Sequence, residues 1–389
     1  MKIKTPSSYI ALSKKNLIHN IKQFKSMAKT GTKFAVVIKG NAYGHGQNIV
    51  AKILNPHVDY FFINSIEELA LLRKVSKKPV LLLGFVEKKD LNQAIKLGCI
   101  LTFFSIESLK EIAQIAKKLK KIQEVHVPVD ALLGREGFLF HELIPLFREI
   151  KNLEYIKLSG LYAHFANIED TRLKEESFWR AKNPTHAYRQ INNFIQAEEL
   201  VKKFGFKSFD THISSTSGFL AYEKRKGINP IIRLGIGVYG MWPSKYLESI
   251  YKNSNFNLKP VLSWKTKIAQ IKILPKGYSI GYGLTHKTKE ETKIALIPQG
   301  YSDGIDRKLS NRGEFLIGGT RCKILGRVSM NMCVVDVSHL KNVGQEDEVV
   351  ILGKQGKKTI TAEEIAEKIG TINYEVTARI SSLLPRVFV

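Results

Sequence analysis

Ala35-Val36-Val37-Ile38-Lys39-Gly40-Asn41-Ala42-Tyr43-Gly44-His45-Gly46 reads as a buried strand running into a ligand loop. Four apolar residues make the strand and a lysine ends it. A loop with three glycines, an asparagine and an aromatic follows, and a helix begins near Gln47. A lysine at the mouth of a strand, with apolar residues behind it, can be held partly dry. Desolvation disfavours the ammonium, lowers its pKa and leaves an amine able to attack a carbonyl. The glycines let the backbone approach a ligand closely. Lys39 is therefore a candidate Schiff-base lysine, the alternative being an ordinary solvated strand end.

Working outward, short apolar runs alternate with amphipathic segments from Ser13 to about residue 240. The runs are Phe34–Ile38, Tyr60–Asn64, Val80–Leu83, Cys99–Phe103, Glu124–Val129, Ser159–His164, Phe209–Ile213 and Ile231–Leu234. Helical patterns between them start at Ser65 and Ser105, serines in N-cap position with a glutamate soon after. Such alternation, with strands apolar throughout, predicts an α/β fold with an N-terminal (β/α)8 barrel; a doubly wound sheet is the alternative. A barrel places its chemistry at strand C-termini. Polar residues recur there: Lys39, then Asp130, Gly134 and Arg135, then His164, then Ser214 to Thr216, then Arg233 to Gly237. Pro184 to Phe194 interrupts the pattern. Glu169 to Asn183 reads as a long polar surface loop or insertion, with Phe178-Trp179 either packing on a neighbour or serving as a local hydrophobic anchor.

After about residue 255 the texture changes to a mainly β C-terminal domain. Val261–Ile273, Lys293–Ile297, Glu314–Ile317, Lys323–Leu325, Cys333–Val337 and Glu348–Leu352 read as strands between glycine-rich turns. A helix over Thr361–Ile369 starts from a capping box with Glu364, and Ala378 to Val389 closes with β pattern. The expected division is a segment 1–12 associated with the C-terminal domain, a barrel over 13–245 and a β domain over 255–389, joined near Ser244–Leu258.

Composition bounds the function. Hydrophobic content of 44% and charged content of 25% over 389 residues suit a soluble protein with large cores. Nothing approaches a membrane-spanning run, and Met1 to Ile10 lacks the apolar centre of a signal peptide. Cys99, Cys322 and Cys333 form no metal-ligand pattern and suit a reducing, cytoplasmic setting. The net charge of +26 raises nucleic-acid binding, but the lysines are scattered over helix faces such as Lys117-Lys118-Leu119-Lys120-Lys121. A solvated basic surface is the simpler reading, with no nucleic-acid, membrane or metal partner expected.

Lys39 to Gly46 resembles the cofactor-lysine motif of the alanine racemases, which hold pyridoxal phosphate (PLP); Gly40 stands where that family usually has alanine. The resemblance covers nearly the whole chain. It implies that Tyr43 bonds the phosphate. His212-Ile213-Ser214-Ser215-Thr216 is similar to a phosphate segment in which Ser215 and Thr216 replace asparagine and serine. Arg233-Leu234-Gly235-Ile236-Gly237-Val238-Tyr239-Gly240 resembles a segment whose arginine faces the pyridine nitrogen and whose Gly235-Ile236 backbone completes the phosphate cup. Tyr374 matches a tyrosine reaching the phosphate from the C-terminal domain. Arginine only donates, so such a partner leaves the pyridine nitrogen unprotonated and the ring a weaker electron sink. That suits returning a proton to Cα. Racemisation needs a proton carrier on each face. The resemblance implies Lys39 on one face and Tyr282 on the other, Tyr282 supported by His164 and Arg233 and reaching the other subunit of a homodimer. Tyr301 matches a tyrosine at the substrate entry, and Met330 a contact to the substrate carboxylate.

Three departures stand out. The family often has Lys-x-Asp-Thr-Gly-Met-x-Arg after the fifth strand, with the lysine carbamylated; here Pro128 occupies the lysine position and Arg135 is kept. Arg135 must then be held by another anion, such as chloride or a nearby carboxylate, or be looser. Asn331 replaces an aspartate after Met330, and Ala163 precedes His164 where a hydroxyl is common. Arg135, Met330, Asn331 and Tyr301 are the expected substrate contacts. The resemblance thus implies an amino-acid racemase acting on alanine, supplying D-alanine as a peptidoglycan precursor. Alternatives are a racemase for serine, lysine or a broad set, a decarboxylase on the same fold, or a non-catalytic PLP-binding protein.

Overall fold

Eight parallel strands form the first layer of the computed structural model, which describes residues 6–168, 185–222 and 230–389. They are Lys33–Val37, Tyr60–Ile63, Val80–Leu82, Ile100–Thr102, Gln123–Pro128, Ile156–Tyr162, Asp210–His212 and Ile231–Leu234. Each pairs with its predecessor as far as the seventh, and the eighth returns to the first, with Ile231 opposite Lys33. The last seam is crossed by a backbone bond from Arg233 N–H to the Ser214 carbonyl at 3.1 Å. The sheet is therefore a nearly closed barrel, and the expected (β/α)8 architecture holds. Its strands are short and mostly buried because helices cover the outside and side chains fill the inside.

The helix starts follow the capping rules. The Ser65 hydroxyl accepts from Glu68 N–H at 3.4 Å, and the Ser105 hydroxyl from Ser108 N–H at 3.1 Å. The Glu68 side chain has a different use. Its two oxygens accept from Gly40 N–H and Asn64 N–H, each at 2.7 Å, tying the Lys39 loop to the end of the second strand.

The expected interruption over Pro184–Phe194 is corrected. His186–Lys203 is an 18-residue helix, begun by the Thr185 hydroxyl accepting from Tyr188 N–H at 3.2 Å. Ala187, Ile191, Phe194, Ala197 and Val201 bury one stripe of it. That spacing has the helical period, and the polar residues between those positions hid it. Glu169 to Asn183, with Phe178-Trp179, lies outside the described residues.

The second half is mainly β, as expected. Leu262–Lys267 and Gln270–Leu274 replace the single expected strand Val261–Ile273, the break falling at Ile268-Ala269. The expected β ending over Ala378–Val389 narrows to the strand Arg386–Phe388, and a short helix, Asn373–Ala378, precedes it. Tyr9–Leu12 pairs antiparallel with Leu262–Lys265 and parallel with Arg386–Phe388, so this early strand lies in the C-terminal sheet. The last strand also reaches the Lys39 loop: the Arg386 guanidinium donates to the Gly44 carbonyl through Nη2 at 2.9 Å and Nε at 3.2 Å. No helix of the described residues is long and apolar enough to cross a membrane.

Candidate active site

Lys39 leaves the first barrel strand into a run of left-handed backbone: Gly40, Asn41, Ala42, Tyr43 and Gly44 have φ of 60°, 52°, 54°, 53° and 83°. Three of these are not glycine, and each costs about 1–2 kcal/mol in that conformation. Surrounding bonds hold them there. Besides Glu68 and Arg386, the Asn41 side chain accepts from Gln47 N–H at 2.9 Å and starts the next helix. A Cβ on Gly44 would fall into the Thr377 carbonyl, so only glycine fits where the loop meets the C-terminal domain. The left-handed turn sends Tyr43 back over the barrel mouth, against the rings of Tyr239 and Tyr374.

A cavity of about 510 Å³ opens there, at the C-terminal end of the strands. Lys39, Tyr43, Arg135, His164, Ser215, Thr216, Arg233, Gly235, Ile236 and Tyr374 all line it. Ten expected site residues from five barrel strands and the C-terminal domain therefore converge. Burial lowers the Lys39 pKa; Arg135 and Arg233 lower it further, against Glu136 and Glu68. The Tyr43 hydroxyl, pushed up to about 12 by burial, stays protonated and can donate. The Thr216 hydroxyl accepts from Gly235 N–H at 3.0 Å, bracing the turn after the eighth strand against the helix that follows the seventh. A Cβ on Gly235 would sit 2.8 Å from the Tyr43 hydroxyl, so the glycine keeps that corner open.

Arg233 crosses the seam of the barrel. Its Nη2 donates to the carbonyls of Ala163 at 2.6 Å and Ile213 at 2.8 Å, and lies 3.2 Å from His164 Nδ1. Burial brings its pKa down to about 10, so it remains a cation at neutral pH. Burial, then Arg233 and Arg135, bring His164 down to about 3. An arginine can only donate, so Nδ1 of the neutral His164 is the acceptor and its proton sits on Nε2. Arg233 Nε is buried with no hydrogen-bond partner among the described residues.

The sequence reading did not name Glu136, which also lines the cavity. Its carboxylate takes Arg135 Nη2–H at 2.6 Å and Nε–H as the second arm of a bidentate pair. A carboxylate next to an arginine in sequence reads as a solvated pair; only the loop's fold turns both towards one cavity. Glu68 and Arg386, the two ties on the Lys39 loop, were missed for the same reason.

Tyr282, Tyr301, Met330 and Asn331 do not join this cluster. They sit in the C-terminal domain, with Tyr282 70% and Met330 55% exposed. The Asn331 amide donates to the Ser302 hydroxyl at 2.8 Å.

The chain matches the family models for the alanine racemase N-terminal domain over residues 12–243 and for the alanine racemase C-terminal domain over residues 261–388. It is 33% identical to an alanine racemase of Leptospira interrogans over 390 aligned positions, 99% of this chain and 96% of that one. An alanine racemase of Clostridium difficile 630 superposes with a TM-score of 0.89 at 30% identity, covering 100% of this chain and 97% of that one. An alanine racemase of Bacillus anthracis, solved with bound L-Ala-P, gives 0.89 at 29% identity, with 100% and 96% covered. Matches of this identity along both domains leave one assignment: the chain belongs to the alanine racemase family.

Proposed function

We propose that this protein interconverts L- and D-alanine using PLP held in the Lys39 cavity. One observation carries the reading: Lys39, the Tyr43–Thr216–Gly235 corner and Arg233 surround one cavity, and Arg233 keeps a buried Nε–H without an acceptor. A buried donor of that kind demands an acceptor. A neutral pyridine nitrogen supplies one. Tyr43, Ser215, Thr216, the Gly235-Ile236 backbone and Tyr374 would hold the phosphate, and Lys39 would carry the covalent link. When bound, PLP makes the Cα proton of an amino acid attached to it acidic.

The protein's own groups do the rest. Arg233 stays protonated and can only donate, so a pyridine nitrogen placed against it would remain unprotonated. His164 lines the cavity with its proton on Nε2, its Nδ1 held against Arg233 Nη2. Lys39, with its lowered pKa, takes and returns the proton on one face of Cα. Tyr282 would serve the other face. Its 70% exposure and position outside its own chain's cavity support a homodimer in which a second copy supplies it, with Tyr301, Met330 and Asn331 alongside. Arg135 would meet the substrate carboxylate. Three buried, unpaired cysteines, Cys99, Cys322 and Cys333, support a reducing cytoplasmic setting.

The test is direct. Purified protein incubated with PLP should turn yellow, borohydride should fix the cofactor on the peptide containing Lys39, and alanine should be racemised faster than other L-amino acids. Protein that takes up no PLP, or a reduced adduct on another peptide, would end this reading.

A further inference from the structure

Arg135 and Glu136 sit on a closed loop after the fifth barrel strand. Phe138 N–H returns to the Pro128 carbonyl at 2.9 Å, and Asp130 N–H to the Phe138 carbonyl at 3.0 Å, so the loop's ends are pinned together. Inside it, the Asp130 carboxylate accepts from Leu133 N–H at 2.8 Å and Gly134 N–H at 3.0 Å. Gly137, at φ +119°, passes so close to this base that a Cβ would lie 2.6 Å from Asp130 N. The two side chains therefore start from a stiff platform. Among the described residues lining the cavity, Glu136 is the carboxylate, and it faces three cations: Lys39, Arg135 and Arg233.

A guanidinium has five N–H donors in one plane. Glu136 takes one from Nε and one from Nη2 of Arg135. The second Nη2–H and both Nη1–H groups remain, and they form an edge that matches another carboxylate. Held this way, the arginine is fixed in orientation and largely neutralised, yet still able to grip an anion.

We propose that Glu136 is a positioning residue, holding Arg135 by one edge so that its other edge receives the α-carboxylate of the substrate. This rests on the amino-acid racemase reading above. Glu136 is the anion built into the sequence, so the arginine needs neither bicarbonate nor chloride from solution. The pair also sets affinity: an unheld Arg135 is a stronger but looser positive charge, binding small anions without aligning a substrate.

Holoenzyme carrying Glu136→Ala and Glu136→Gln is compared with wild type for alanine kinetics and, by calorimetry, for binding of propionate, which has the carboxylate but no amine. Glu136→Ala should raise KM for alanine about tenfold or more and lower kcat by less, the loss expected when a charge-assisted pair goes. Formate at constant ionic strength should restore much of the Ala variant's KM and leave wild type unchanged. Glu136→Ala should add little to Arg135→Ala, because Glu136 acts through that arginine. Propionate affinity should change in Glu136→Ala and recover with formate. Unchanged KM and unchanged propionate affinity would overturn the proposal. So would a loss that formate does not relieve, or one that adds in full to Arg135→Ala. If wild type racemises no amino acid, the racemase reading fails by itself, and propionate binding still decides whether Glu136 orients Arg135.

Discussion

Replacing Arg386 by methionine should release PLP far more than it unfolds the chain. Arg386 lies in the last strand, more than three hundred residues from Lys39, yet its Nε and Nη2 both donate to the Gly44 carbonyl. Nη1 donates to the Ser381 and Leu384 carbonyls, each at 2.6 Å. One side chain thus staples the C-terminal turn to the left-handed run that presents Lys39 and Tyr43. That run carries three non-glycine residues at positive φ, a strain of roughly 3–6 kcal/mol in all. Bonds to a charged donor contribute about 1.5–3 kcal/mol, so losing the hold on Gly44 shifts the loop towards relaxed shapes by about that much. Every 1.4 kcal/mol is about tenfold, and apparent affinity scales with the competent fraction, so PLP should bind about 10- to 150-fold more weakly. The assay is a PLP titration followed by absorbance on protein first stripped of cofactor, with thermal unfolding alongside. Arg386→Lys keeps the charge but not the fork, and should fall between wild type and methionine. A folded methionine variant with wild-type PLP affinity would refute the idea that this staple sets the loop.

Other outcomes follow from the same geometry. Mixed Lys39→Ala and Tyr282→Phe chains, each inactive alone, should regain activity once heterodimers form; heterodimers shown by mass but still inactive would remove the shared site. Asn331→Asp places a negative charge beside Ser302 in the C-terminal domain, and should lower kcat/KM for serine relative to alanine by about tenfold, on the order of 1 kcal/mol of lost polar tolerance; an unchanged ratio would end that assignment. His45, His126, His164 and His212 are buried and held neutral, with burial lowering them to about 4, about 3, about 3 and well below the ordinary value. The unfolded chain takes up protons on them below about pH 6.5 and the folded chain does not, so stability is full above that pH and is lost as pH falls. Each should remove about 1.4 kcal/mol between pH 7.5 and 5.5, on the order of 5 kcal/mol together. Urea midpoints at the two pH values test this, and equal midpoints would show the histidines already protonated or exposed.

The barrel was legible in the sequence because its strands are buried on both faces and bounded by capped helices. Local pattern and local chemistry coincide there, and seven of the eight expected runs need only end-residue adjustment. Lys39, Arg233 and the Ser215-Thr216 pair could be named early because strand-end polar residues on one rim must share a space once the barrel closes. The long helix His186–Lys203 was hidden by a proline and a polar stretch in front of a stripe spread over four turns. What the chain alone could not reveal is contact between distant residues. Arg386 reaches Gly44, Glu68 reaches Gly40, and Glu136 turns its carboxylate onto its own neighbour Arg135 at the cavity. Composition and periodicity carry no term for such contacts. Sequence determined the barrel's strands and where Lys39 stands; the tertiary structure decided the left-handed run that follows Lys39, the anion that holds Arg135, and the exclusion of Tyr282 from its own chain's cavity.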